Sequence, residues 1–323
     1  MTSPASPEAQ AKVDQLIDHV NQQIELLAFD NPNPVLLRQM VQSLVDPRRA
    51  TRLSLIEALS QIGEPATPYL LEGLAHHPES VVRRACCNAL TNIGDAAAVS
   101  GLVAALLEDE DISVKSAAAG ALAKIGAPAF DAVREVLASE TASESCKGHA
   151  AWAMASMSRE VSERLYRLVN DPSPSVRVAV VGAIAQIAQS RLAQNPLAQN
   201  PLQPKQNPSE QPPTKQPPTK QPSTKQDQSA LSLLTEALND PSPDVRIEAA
   251  AHLARLNCQR AYQPLVACLK DNSSDVRKAA VLALGKLGNP SAIDVIEPLR
   301  QDAETAVQKA AGLVLEQLAT CKT

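Results

Sequence analysis

The chain is built on a repeat of about 31 residues, which recurs eight times in one register. Each copy carries a pair of adjacent positions, in most copies an apolar residue followed by a basic one, with apolar residues seven and ten positions after the second member. These pairs are Thr51-Arg52, Val82-Arg83, Val114-Lys115, Cys146-Lys147, Val176-Arg177, Val245-Arg246, Val276-Arg277 and Val307-Gln308. A fixed period of this length is typical of stacked repeat proteins, in which each unit buries its apolar face on its neighbours.

Within each repeat, the pattern predicts two helices joined by a short turn. Turns such as Asp171-Pro-Ser-Pro precede the second helix, where Asp or Ser can accept hydrogen bonds from the free amides of the first turn and Pro suits the first helical position. Apolar residues then recur at helical spacing on one face, and a glycine such as Gly288 often follows the helix as a C-cap signal. The sequence therefore predicts an all-α fold, an α-solenoid or right-handed superhelix of about eight helical hairpins.

A segment rich in Pro, Gln and Lys interrupts the repeat between its fifth and sixth copies. Its composition is typical of polyproline II and coil, so we predict a disordered linker at residues 190–228. It separates repeats 1–5 at 35–189 from repeats 6–8 at 229–323, while residues 1–34 form a tail and a capping helix. Either the stack continues with the linker extruded as a loop, or two arms are tethered. Because Val176 and Val245 are one period plus the insert apart, we favour the continuous stack.

Charge and composition exclude several classes of function. The formal net charge is −5, and because the Pro-rich segment carries +3, the repeats carry −8. An acidic body with only six aromatic residues is poorly suited to nucleic-acid backbones and to base stacking. No run approaches the roughly 20 apolar residues of a membrane span. Six cysteines without paired spacing, and no signal-peptide pattern, predict free thiols and a cytoplasmic location.

An aspartate lies six positions before the arginine of the pair in four of the repeats. These pairs are Asp46 and Arg52, Asp171 and Arg177, Asp240 and Arg246, and Asp271 and Arg277. The aspartate suits a helix cap, and the arginine, about one and a half turns later, can reach the turn of a neighbouring repeat. We interpret the pattern as a structural Asp–Arg ladder along the seam between repeats. The alternative is that these arginines bind a partner.

The stretch Asp271-Asn-Ser-Ser-Asp-Val-Arg-Lys-Ala-Ala-Val-Leu-Ala-Leu-Gly-Lys-Leu-Gly resembles the short HEAT-like repeats of the phycobilisome-lyase type. The resemblance covers about residues 35–190 and 229–319. Related chains include E/F-type bilin lyases, which attach open-chain tetrapyrroles to phycobiliprotein cysteines, and proteins of phycobilisome turnover. The resemblance implies an adaptor whose concave face, lined by the second helices, holds a phycobiliprotein subunit or a second HEAT-repeat subunit. It also implies a transiently bound, phycocyanobilin-like bilin and no tightly bound cofactor.

A second branch with a similar repeat is that of the di-iron deoxyhypusine hydroxylases, whose metal sites use His-Glu pairs on successive helices. This chain has no His-Glu dipeptide, and His76-His77 is followed by Pro78. The sequence therefore predicts no iron site and no hydroxylase activity.

The fourth repeat departs most from the consensus. Cys146 replaces valine, and His149 stands in a position that is mostly alanine in the other repeats. Because they are three residues apart on a helix, both point to one side, and a thiol beside an imidazole can form a nucleophilic pair. With Trp152 they are the candidates to lie nearest a tetrapyrrole. The alternative is that Cys146 is a small buried residue and His149 a partly exposed helix residue.

Two further departures carry less chemistry. Cys86 and Cys87 stand in buried positions of the repeat, which favours packing over a zinc site with His76 and His77. His252 replaces a recurrent alanine, so it either lines a groove or is satisfied locally. With no phosphate-binding loop and no Ser/His/Asp arrangement, the sequence predicts no stand-alone enzyme. The leading hypothesis is a bilin-lyase-related adaptor, and the alternative is a non-catalytic scaffold for an unrelated cytoplasmic complex.

Overall fold

The computed structural model describes residues 6–25, 33–194 and 224–320. These residues form 17 α-helices and no β-strand. The chain divides into two compact units, Met1–Val161 and Ser162–Thr323, called here the N-terminal and C-terminal units. The prediction of an all-α solenoid of paired helices is confirmed.

In the N-terminal unit, a single helix precedes four helical pairs. The helices are α1 (Pro7–Glu25), α2 (Pro34–Ser43), α3 (Arg49–Ile62), α4 (Thr67–His76), α5 (Ser80–Ile93), α6 (Val99–Glu108), α7 (Ile112–Ile125), α8 (Phe130–Ala138) and α9 (Glu144–Ser156). Second helices pack on second helices, α3 on α5, α5 on α7 and α7 on α9, and first helices pack in the same order. Helix α1 packs on α3 and buries Leu16 and Val20, so it covers the exposed end of this stack.

The C-terminal unit contains the other four pairs. Its helices are α10 (Ser162–Arg167), α11 (Pro174–Gln194), α12 (Thr224–Glu236), α13 (Pro243–Arg255), α14 (Tyr262–Cys268), α15 (Ser274–Leu287), α16 (Ala292–Ile296) and α17 (Thr305–Thr320). Short 3-10 turns extend several first helices, as at Glu297–Gln301 after α16. The second helices α11, α13, α15 and α17 pack in that order.

The predicted linker falls within the C-terminal unit. Helix α11 continues to Gln194 and α12 begins at Thr224, so both predicted ends of the linker, at 190 and 228, lie inside helices. The prediction of disorder between them concerns residues 195–223, which lie outside the described residues. Helices α11 and α13, on either side of the insert, pack directly against each other. The compact units therefore divide near residue 161 and not at the insert, because the packing of second helices passes across it.

The core consists mainly of the alanine, leucine and valine side chains that recur in each second helix. In α15, Val276, Ala280, Ala283, Leu284 and Leu287 are all buried. These are the positions −1, +3, +6, +7 and +10 from Arg277, which share one face of a helix. Small residues in this set let neighbouring helices approach closely.

One close approach in the C-terminal unit makes a glycine necessary. A Cβ atom built on Gly285 of α15 would lie 2.7 Å and 2.8 Å from the two Cγ atoms of Val314 on α17. A Cβ atom on Gly312 of α17 would meet only the tip of Arg300, at 3.9 Å. Alanine is the better helix former by up to about 1 kcal/mol, but overpacking costs roughly 1–3 kcal/mol.

We therefore expect opposite effects from the same substitution at these two glycines. Gly285→Ala lowers the free energy of unfolding by about 1 kcal/mol or more, because valine is stiff at χ1 and cannot withdraw. Gly312→Ala raises it by roughly 0.5–1 kcal/mol. Urea unfolding followed by circular dichroism measures both. If Gly285→Ala stabilises the chain as much as Gly312→Ala does, the contact between α15 and α17 is not tight.

Candidate functional site

Each aspartate of the predicted ladder begins a turn by accepting a backbone amide hydrogen two residues later. In the C-terminal unit, Oδ1 of Asp240 accepts from Ser242 N at 2.8 Å, and Oδ1 of Asp271 accepts from Ser273 N at 2.9 Å. The same contact occurs at Asp46, Asp109, Asp171 and Asp302. The carboxylate is thus held at the start of the second helix, facing the preceding repeat.

Four of these carboxylates each accept two parallel hydrogen bonds from an arginine of the preceding repeat. Arg177 donates from Nε and Nη2 to Asp240, at 2.8 Å each, and Nη1 donates to the carbonyl oxygens of Asp171 and Pro172. The other three ion pairs of this kind join Arg83 to Asp109, Arg246 to Asp271 and Arg277 to Asp302. Each arginine therefore ties the turn of its own repeat to the turn of the next.

The ladder is incomplete in the N-terminal unit. His77 stands where other repeats have aspartate, and its Nδ1 accepts from Glu79 N at 3.1 Å in place of a carboxylate oxygen. Arg52 donates to the carbonyl oxygen of Asp46, while the Asp46 carboxylate is bound by Arg48. Lys115 replaces arginine and donates to the carbonyl oxygen of Leu107.

These contacts set the ionisation of the carboxylates. The hydrogen bonds from Arg83 and Arg277 lower the pKa values of Asp109 and Asp302 respectively. Burial acts to raise the pKa values of Asp240 and Asp271, but hydrogen bonds from Arg177 and Arg246 and from the turn amides outweigh it, so both are lowered. The Asp240 and Arg177 side chains are each only 10% exposed. Their guanidinium and carboxylate groups are consequently engaged with each other and turned away from any partner.

Cys146, the candidate nucleophile, is buried and held by hydrogen bonds. Its thiol donates to the carbonyl oxygen of Leu106 at 3.2 Å and accepts from the Ser143 hydroxyl at 3.1 Å. The Lys115 ammonium lies 3.6 Å from the sulfur. The side chain occupies a position that is valine in six of the other seven repeats, and it is 1% exposed.

His149 and Trp152 lie further along α9. The imidazole Nδ1 of His149 donates to the carbonyl oxygen of Ser145, at 2.7 Å, one turn earlier on the same helix. Trp152 is 54% exposed. Each of the two chemically active groups, the Cys146 thiol and the His149 ring, therefore has a backbone carbonyl as its hydrogen-bond acceptor.

Cys86 and Cys87 are fully buried in α5. Burial raises the pKa values of both thiols, that of Cys87 to about 12. Among the described residues, no cluster of three or more His, Cys, Asp or Glu side chains could hold a metal ion. Nε2 of His252 lies 2.7 Å from a carboxylate oxygen of Glu248, and this hydrogen bond lowers the pKa of Glu248.

The outward side of the second helices carries exposed apolar side chains at one repeat position. Five residues after the basic position stand Trp152 on α9, Leu282 on α15 and Leu313 on α17, with exposures of 54%, 47% and 67%. We call this side the second-helix face of each unit. Sequence analysis singled out Trp152 but missed both leucines. Their signal was available, since leucine at this position lies opposite the buried positions of the repeat.

In the C-terminal unit, a groove of about 550 Å³ runs along this face between α13 and α15. Its apolar lining includes Ile247, Ala251, Ala279 and Leu282, and its polar lining is Arg255, Asp275, Lys278 and Lys286. The small alanine side chains leave the floor open, while Leu282 forms part of the wall. Such a groove can accept apolar side chains from a partner.

Family models for HEAT repeats match residues 67–155, 163–191 and 231–316. Together these matches cover more than half of the chain. This is a HEAT-repeat protein. The HEAT-repeat matches include α13 and α15, α9 up to residue 155, and the first 12 of the 16 residues of α17, the helices that carry the second-helix faces.

Several solved structures are similar to this chain at low identity. The E. coli protein YibA is 18% identical over 99% of both chains, with a TM-score of 0.36. Human deoxyhypusine hydroxylase in complex with glycerol is 16% identical over 98% of this chain and all of the other, with a TM-score of 0.33. The karyopherin Kap121p, bound to the extreme C-terminus of the phosphatase Cdc14p, is 15% identical over 90% of this chain and 35% of its own, with a TM-score of 0.48. No curated protein sequence matches this HEAT-repeat chain.

In the part of the HEAT-repeat chain that the structure describes, every helix is too short or too polar to cross a membrane.

Proposed function

We propose that this protein is a scaffold that binds a partner protein through its second-helix faces. The observation that carries the proposal is the exposure of Trp152, Leu282 and Leu313 at one repeat position, on helices whose other large apolar side chains are mostly buried. Exposed apolar patches of this kind mark interaction sites, and an exposed tryptophan is a common centre of binding energy.

Two features of the structure favour binding over catalysis. The Cys146 thiol is buried and donates to a backbone carbonyl, and the His149 ring donates to another. The ladder arginines Arg177, Arg246 and Arg277 are each held by a carboxylate of the next repeat. The chemistry-bearing groups thus stabilise the fold, while the outward face presents exposed apolar side chains to solvent.

A narrower form of the proposal names the partner as a phycobiliprotein subunit during chromophore attachment or phycobilisome turnover. It is supported by the resemblance of Asp271–Gly288 to the phycobilisome-lyase repeat. A transiently bound bilin would then lie against His149 and Trp152, which are three residues apart and therefore on one side of α9. A second HEAT-repeat subunit is the other partner that the resemblance implies.

Affinity capture from the native host, with mass spectrometry, tests the proposal. The full chain is compared with Leu282→Asp/Leu313→Asp and with the control Val35→Asp, which changes an exposed valine on α2 that is 69% exposed. We expect a partner that the wild-type and control chains retain and that the double variant loses by at least tenfold. A partner that all three chains capture equally would rule out the second-helix face of the C-terminal unit as its binding site.

The same captures decide the narrower form. A phycobiliprotein among the lost partners, together with a bilin absorbance change that Trp152→Ala abolishes, supports it. Capture of a different protein that depends on Leu282 and Leu313 leaves the scaffold proposal standing and removes the phycobiliprotein.

A further inference from the structure

Unpaired lysines surround the groove between α13 and α15. Lys278 and Lys286 line it, and Lys309 holds the same repeat position on α17 as Lys278 does on α15. All three are exposed, and none forms an ion pair with any described residue. By contrast, Arg246 on α13 and Arg277 on α15 form ion pairs with Asp271 and Asp302. The three lysines are therefore free to meet an external charge.

The acidic groups near the groove do not balance its basic side chains, because the lining holds Arg255, Lys278 and Lys286 against Asp275 alone. Glu248 is occupied by His252 and lies 3.7 Å from Arg255. Asp275 lies in the first turn of α15, where the helix dipole favours a negative charge. A local excess of positive charge on a chain whose formal net charge is −5 indicates selection of a partner by charge.

The apolar floor sets the shape of the occupant. The groove lining runs over residues 247–255 of α13 and 275–286 of α15, which gives it a length of about 12 to 17 Å at 1.5 Å per residue. Helices packed about 8–10 Å apart leave a furrow that suits one row of apolar side chains from a third helix. Ala251 and Ala279 leave room for such side chains, and Leu282 contacts them from one wall.

We propose that this groove binds an acidic amphipathic helix of the partner protein, with its leucine-type side chains on the floor and its Asp and Glu residues against Lys278, Lys286 and Lys309. The inference rests on the proposed function and names the chemistry of the partner. A phosphate backbone fits less well, because Asp275 lies in the same lining and no aromatic side chain there can stack on bases.

Selection from a random library tests the charge of the occupant without assuming it. Peptides of about 16 residues, displayed on phage, are selected on the immobilised full chain, and in parallel on Leu282→Asn/Leu313→Asn. We expect the peptides that depend on the two leucines to carry a net negative charge and apolar residues at i, i+3 or i+4 and i+7.

A selected peptide, labelled with fluorescein, then gives dissociation constants by anisotropy. Lys278→Glu/Lys286→Glu is expected to weaken binding at least tenfold, and a peptide whose acidic residues are changed to lysine should recover binding to this variant. The matched control is Arg260→Glu/Lys270→Glu, which makes the same change of charge at exposed positions outside the groove lining and should change affinity less than threefold.

The outcomes separate this inference from the proposed function. Leucine-dependent peptides that are neutral or basic would overturn the acidic partner and leave the scaffold proposal intact. Peptides whose binding ignores both leucines, or no enrichment at all, would count against both. Tighter binding of a labelled DNA 20-mer than of any peptide, lost in the lysine variant, would replace the peptide with a nucleic acid.

Discussion

Replacing Arg177 with leucine is expected to lower the free energy of unfolding of the C-terminal unit by about 3 kcal/mol. The guanidinium makes four hydrogen bonds, two to the Asp240 carboxylate and two to backbone carbonyls of its own turn. Leucine would leave Asp240 as an unpaired carboxylate that is 10% exposed. Removing one partner of a buried pair typically costs about 3–5 kcal/mol, and the remaining contact with water puts this case at the lower end.

Urea unfolding of the full chain, with hydrogen exchange of the α11 and α13 amides as a local readout, measures this effect. Arg300→Leu is the matched control, because Arg300 pairs with Glu297 on the surface with 45% of its side chain exposed, and such pairs contribute about 0–1 kcal/mol. Arg177→Lys should keep only part of the stability, since lysine cannot make the two parallel bonds.

The double variant Arg177→Leu/Asp240→Asn tests whether the loss of stability comes from the unpaired carboxylate of Asp240. We expect it to be more stable than Arg177→Leu alone, because the charge left unpaired is removed. Equal stability of Arg177→Leu and Arg300→Leu would show that the ladder does not hold the repeats together.

Acid is expected to destabilise the fold below about pH 4, the unfolded pKa of an aspartate. The folded pKa values of Asp109, Asp240, Asp271 and Asp302 are lowered, so their ionised forms favour the folded state. For a group with a lowered folded pKa, the stabilisation is fully present above the unfolded pKa and is lost as pH falls through the folded pKa. The melting temperature should therefore change little between pH 7 and pH 5 and fall steeply between pH 4 and pH 2.

Circular-dichroism melting curves at a series of pH values test this dependence. A chain in which the Arg177–Asp240 pair is replaced by leucine and asparagine has one fewer carboxylate with a lowered pKa, so its slope in acid should be shallower. Replacing Asp294 with asparagine is the control, because this exposed carboxylate on α16 lies outside the ladder, and the slope of this variant should match the wild type. A melting temperature that rises as pH falls from 5 to 3 would contradict the ionised ladder.

The sequence was sufficient to predict the helices and turns of each repeat, because the same apolar pattern recurs in every copy. Val276, Leu284 and Leu287 recur at helical spacing, and eight aligned copies turn a weak single-helix signal into a strong one. The role of the aspartates that begin each turn could also be predicted, since capping involves residues only a few positions apart.

The sequence did not identify which aspartate pairs with each ladder arginine. Arg177 pairs with Asp240, which is 63 positions away, whereas Arg246 and Arg277 each pair with an aspartate 25 positions away. The insert changes the distance along the chain and leaves the contact unchanged, because the packing of α11 on α13 passes across it.

By itself, the sequence determined that this chain forms stacked helical pairs, because a period of about 31 residues indicates stacked units and the apolar spacing within each unit is helical. Only the tertiary structure decided what each conspicuous side chain does. Cys146 is buried with its thiol donating to the carbonyl oxygen of Leu106. Arg177, Arg246 and Arg277 are each paired with a carboxylate of the next repeat. The physical reason is that burial and pairing depend on what the neighbouring repeat presents, and a repeat pattern does not contain that information.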